Sequence, residues 1–148
     1  MGQQQLLLLV LGIVIVGLAV VVGIQAFSEN QKKANADALV NDVIRIASDA
    51  QAWKLKPQAF GGGASVAGWT GLTLQQLGYT VGDNTYTAHT AGAAEYENLN
   101  GTFAISNTGG TLTIVATSYD PDDDPSNVVT TTVDGTEPGD INTDIANG

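Results

Sequence analysis

The chain has no cysteine. That excludes disulfides, thiol catalysis and any zinc site built on thiolates. Its single histidine, His89, has no motif around it and reads as a surface or packing residue. No Gly-x-Ser-x-Gly, P-loop or His-Glu-x-x-His pattern occurs, so no enzyme is expected. Proline is absent before Pro57, and glycine is absent from Gln25 to Lys56. Nothing in that stretch breaks a helix. Lysine and arginine are absent from Pro57 to the last residue.

The charge that is present is divided along the chain. The formal net charge is −10 over 148 residues. All five basic residues, Lys32, Lys33, Arg45, Lys54 and Lys56, precede Pro57. After it come Asp83, Glu95, Glu97, Asp120, Asp122, Asp123, Asp124, Asp134, Glu137, Asp140 and Asp144. Such a surface disfavours nucleic acid and anionic headgroups, so no nucleic-acid partner is expected. It also keeps an exported domain soluble at high local concentration.

The longest apolar run is Leu6 to Ile24, LLLLVLGIVIVGLAVVVGI, with no charge and no proline. A helix of ~20 such residues matches the hydrocarbon thickness of a bilayer, and in lipid only a helix satisfies its own backbone. Gly12, Gly17 and Gly23 interrupt the run. Each costs ~1 kcal/mol relative to Ala in a helix. A plain membrane anchor needs none of them, whereas helices packed closely against other helices can use them. A cleaved signal peptide fits poorly. Its apolar region would be ~7–15 residues behind a basic start, and here the run is longer, nothing basic precedes it, and Gln25-Ala26-Phe27 is a poor cleavage site. The basic cluster just past the run would ordinarily be cytoplasmic. An upstream leader bearing Lys or Arg would reverse that orientation, so the expectation is that the sequence begins at or near a processed N-terminus.

From Gln25 to Lys56 apolar residues recur at alternating intervals of four and three: Leu39, Val43, Ile46, Ala50 and Trp53, widened by Val40, Ile44 and Ala47. This spacing predicts an amphipathic helix with one buried face that packs on the following domain. No breaker separates it from the apolar run, so one helix is expected from about Gln4 to Leu55, ~75–80 Å long. The expected organisation is a helix over 1–56, apolar over 5–24 and amphipathic over 25–56, then a small acidic β-rich head over 57–148. The fold class is α+β, with the helix packed on an antiparallel meander.

Within the head, Gly61-Gly62-Gly63 reads as a flexible connection, and Trp69 to Leu77 as a helical turn or an irregular packing segment. Short alternating runs predict strands over Tyr79–Val81, Thr85–His89, Gly101–Ser106, Thr111–Ser118 and Val128–Val133. The clearest hairpin is Thr102–Ser106 with Thr111–Val115 about Gly109-Gly110. The tail from Gly135 to Gly148 is expected to be loosely ordered. Trp53 and Trp69 read as core residues near the junction. Asn100-Gly101-Thr102 fits a glycosylation sequon, but Asn-Gly reads first as a turn. Asp120, Asp122 and Asp124 alternate in an acidic loop that could converge on Ca²⁺. The rest of an EF-hand loop does not follow, so the first reading is a solvated acidic loop between strands, with Ca²⁺ the alternative; no other cofactor is implied.

A polar tip, an apolar half-helix, an amphipathic half-helix and a small β-domain together resemble the type IV pilin and pseudopilin family. The likeness covers Met1 to Lys56 in architecture and the rest loosely. It implies processing by a prepilin peptidase, a membrane-inserted precursor, inner-membrane assembly machinery, and a homopolymer displayed as an extracellular filament at the cell surface. It also implies a filament core formed by Leu6, Leu7, Leu8, Leu9, Val10, Leu11, Gly12, Ile13, Val14, Gly17, Val20, Val21, Gly23 and Ile24. Cleavage would fall before Met1, or after Gly2 so that Gln3 comes first. The chain departs from the family pattern in three ways. The usual glutamate at the fifth mature position is replaced by Gln5 or Leu7, depending on the cleavage point. The usual proline of the apolar half is missing, and no cystine loop can form. A second reading is a membrane-anchored extracytoplasmic binding or sensor domain.

Overall fold

In the computed structural model the described residues are 2–80, 95–108, 110–118 and 127–147. The expected strand over Thr85–His89, with His89 itself, and the acidic loop with Asp120, Asp122 and Asp124 lie outside them.

One helix, α1, runs from Gly2 to Leu55, 54 residues without a break. It begins two residues earlier than the apolar pattern suggests. Its end coincides with the approach to Pro57, whose ring disfavours helical geometry in the residue before it. By internal contacts the chain divides into two compact units, Met1–Ala34 and Asn35–Gly148. Of the expected amphipathic half over 25–56, α1 from Asn35 onward belongs with the head, and residues 25–34 fall in the first unit.

In the second unit, five strands follow α1 among the described residues: β1 (Glu95–Glu97), β2 (Gly101–Thr108), β3 (Thr111–Ser118), β4 (Asn127–Val133) and β5 (Ile141–Asn147). They form a single antiparallel meander in chain order. The fold is α+β. β-Branched residues dominate β3 and β4, and burial alternates strictly along β4. That is the pattern of a sheet covered on one face. Phe103, Leu112, Ile114, Ala116, Val129 and Val133 point to the covered face, and Leu39, Val43, Ile46, Ala47 and Ala50 of α1 close it. Trp69 and Leu74 complete this core from the irregular segment between helix and sheet. Between Trp69 and Leu77 the chain forms turns rather than a regular helix.

Three expectations need correction. Tyr79 and Thr80 are not in a strand; Tyr79 instead donates to Asp49 Oδ2 at 2.6 Å and its ring packs on Tyr96. β1 was not anticipated, because three residues with two glutamates carry too short an alternation to register. The tail is not loose. Ile141, Thr143 and Ile145 pair with Val133, Thr131 and Val129, so the meander gains a fifth strand. A 3₁₀ turn at Pro138–Asp140 leads into it, closed by reciprocal bonds between Glu137 and Asp140. Gln51 Nε2 of α1 donates to the carbonyls of Gly135 and Glu137 at 3.1 and 2.9 Å, which ties the lead-in to the helix.

Candidate assembly surface

The apolar half of α1 is the part of the molecule whose chemistry is left unsatisfied. Its side chains are exposed all round: Leu6 is 68 % exposed, Val20 55 % and Phe27 65 %, and the expected filament-core leucines, isoleucines and valines from Leu6 to Ile24 all share this condition. The helix is long and apolar enough to cross a membrane. Burying a side chain of this size contributes about 1.5–3 kcal/mol. Left in water, the surface would drive insertion or association.

Gly12, Gly17 and Gly23 sit in that surface, and a Cβ built at any of them meets nothing within the chain. At ~100° per residue, Gly12 and Gly23 lie within about 20° of each other, and Gly17 is turned about 140° from Gly12. The three notches therefore open on two sides of the helix. Gly2 and Gln3, the residues at the expected processing point, are the first described residues of α1 and are exposed.

In the head unit, the predicted packing residues are placed as follows. Leu39, Val43, Ile46 and Ala50 lie in the core. Trp53 is buried at the helix end, where its ring lies against the Gly63 backbone and its Nε1 donates to the Gly61 carbonyl at 3.0 Å. The glycine stretch that read as a flexible link is thus docked. Lys54 completes the docking. Its ammonium donates to the carbonyls of Gly63 (3.0 Å), Val66 and Gly68 (2.7 Å). Three carbonyls from one loop converge on one cation, and that organises residues 61–68 against α1. This role is not legible in the sequence, because backbone acceptors leave no trace in residue type.

A second polar group was equally hidden. Asp42 Oδ2 accepts from Asn98 Nδ2 at 2.9 Å and Asn100 Nδ2 at 2.7 Å. Asn35 Nδ2 donates to the Asn100 carbonyl at 3.0 Å, and Asn98 Oδ1 accepts from the backbone of Asn100 and Gly101. The Asn-Gly pair therefore closes the β1–β2 turn and pins it to α1, with the Asn100 amide engaged by Asp42. Gly101 is required there, since a Cβ would run into the Thr117 carbonyl of β3.

Among the described residues, Tyr79 has a displaced titration. Burial, then the hydrogen bond and the charge of Asp49, push its phenol well above the usual tyrosine range, partly offset by Arg45. Among the described residues no group of carboxylates or imidazoles could hold a metal ion. No family model, no curated protein and no solved structure matches the chain.

Proposed function

We propose that the chain is the structural subunit of an extracellular, type IV pilus-like filament that polymerises through the apolar half of α1. One observation carries this reading. An uncharged helical surface about 20 residues long is exposed on every side, yet it carries glycine notches on two of them. Lipid can cover such a surface, but lipid chains have no use for notches. Neighbouring helices do, because a glycine lets backbones approach and contribute packing that lipid does not supply. Notches on two sides fit a helix with at least two neighbours, as in a bundle, better than a lone anchor or a simple pair. A dry bundle core also tolerates no unpaired charge, and this run has none.

The subunit would wait in the cytoplasmic membrane, be processed by a prepilin peptidase and be extruded by inner-membrane machinery, leaving its acidic heads at the cell surface. Replacing Gly17 by Leu tests the reading. The variant should still enter the membrane fraction, because leucine favours insertion, but should give few or no filaments. Normal filaments from it would overturn the packing argument. The alternative, an anchored binding or sensor domain, predicts an unaffected protein that stays in the membrane.

A further inference from the structure

The two edges of the sheet are treated differently. β1 is three residues long, and two of them are Glu95 and Glu97. Shortness and charge are the usual means of protecting an edge from pairing with another chain. β5 is less protected: it is not short, and its single charged residue is the exposed Asp144. It is seven residues long, contains no lysine or proline, and is hydrogen-bonded only to β4 among the described residues. Ile145 on this edge is 42 % exposed.

The sequence of β5 also reads almost the same in both directions about Thr143: Ile141-Asn142-Thr143-Asp144-Ile145. An antiparallel pairing of this edge with its own copy, centred on Thr143, places each Ile141 opposite Ile145 and each Asn142 opposite Asp144. The apolar pair lies on the face shared with Val129 and Val133. The polar pair on the other face matches an amide donor to a carboxylate, so no aspartate meets an aspartate. Directly opposed pairs of these kinds stabilise a sheet, whereas like charges would oppose it. A one-residue slip would break both matches.

We infer that β5 is a self-pairing edge: two copies of this chain join there, antiparallel and centred on Thr143, into one continuous sheet. Such a contact is two-fold and closes on two copies. It cannot propagate along a polar filament, so it links subunits of separate filaments, or two unassembled subunits. It thus concerns lateral association and does not depend on how α1 assembles.

The absence of native cysteine makes the test direct. Single cysteines are introduced in the full-length chain in detergent micelles, and disulfides are formed with a mild oxidant. Opposed residues in an antiparallel pair have Cα atoms ~4.5–5.5 Å apart, within the ~4.4–6.8 Å a disulfide spans. Thr143→Cys should form a dimer near twice 15.2 kDa on a non-reducing gel. Asn142→Cys alone and Asp144→Cys alone should stay monomeric, while a mixture of the two should cross-link. The mixture stands independently if Thr143→Cys disturbs the fold, since Thr143 Oγ1 lies 2.8 Å from Thr131 Oγ1, whereas positions 142 and 144 are exposed. Failure of the mixture to cross-link, or self-cross-linking of Asn142→Cys to the same extent, would overturn the pairing. Carrying the Gly17→Leu change in the same chains should leave the pattern unchanged.

Discussion

Replacing Lys54 by methionine keeps the aliphatic stem and removes the ammonium that holds the 61–68 loop. Three carbonyls, of Gly63, Val66 and Gly68, lose a charged donor at once. A hydrogen bond to a charged group contributes about 1.5–3 kcal/mol net. The site is only partly buried, so water can reach some of the freed carbonyls, and restoring the hydration of the ammonium offsets part of the loss. The expected destabilisation is therefore well below the sum of three bonds, about 2–4 kcal/mol. For a unit the size of Asn35–Gly148 this lowers the melting temperature by roughly 10 °C. Arginine should not substitute. Its planar fork cannot aim at three carbonyls as a tetrahedral ammonium does. The assay is thermal unfolding of the full chain in detergent, followed by tryptophan fluorescence. Both tryptophans, Trp53 and Trp69, are buried in this unit, and Trp53 touches the loop. Added ammonium ion should partly restore the methionine variant, because it can occupy the vacated position. A melting temperature within a degree or two of wild type would show that the three bonds merely replace hydration and contribute nothing.

Leu39 is fully buried between α1 and the sheet; Leu39→Ala should cost about 2–5 kcal/mol in the same melt, and a loss under 1 kcal/mol would contradict the packing described. Gly101→Ala drives a Cβ into the Thr117 carbonyl and should destabilise by at least ~1–3 kcal/mol, the usual cost of overpacking, where an ordinary surface alanine would be neutral. Tyr79 keeps its proton in the fold above pH 10, while the unfolded chain releases it, so its contribution is intact below about pH 10 and declines as pH rises further. Tyr79→Phe should therefore be less stable than wild type at neutral pH, with the gap narrowing in alkaline melts; a gap independent of pH would dismiss the Asp49 bond as the cause. Filaments should survive 1 M salt, where the Debye length is ~3 Å, because ~25 cal/mol per Å² of buried apolar helix outweighs surface charge pairs. Their dissolution in salt would reverse that ranking.

The helix was legible because its signal is long and redundant. Nineteen apolar residues from Leu6 to Ile24, then Leu39, Val43, Ile46, Ala50 and Trp53 at helical spacing, leave one interpretation until Pro57. The β2–β3 hairpin was legible for the same reason, with alternation on both sides of a glycine pair. β5 was not, because its composition is that of a polar tail, and only the pairing of Ile141 and Ile145 with Val133 and Val129 reveals its second period. The domain's docking onto the helix was hidden more deeply. The Lys54 contacts and the Asp42–Asn98–Asn100 group depend on where backbone carbonyls and amides converge. The division after Ala34 was equally unreadable, since it reflects which turns of a continuous helix meet the sheet. The apolar surface itself was read directly, because exposure of that many leucines and valines follows from composition once the helix is drawn.

The central claim is that this surface is covered by copies of itself. Electron microscopy of the fraction sheared from the surface of cells making the chain tests it most directly. Thin, uniform filaments composed of this chain are expected, with a core of close-packed helices containing residues 6–24 in their reconstruction. A sheared fraction without filaments, with the intact chain retained in the membrane, would contradict it.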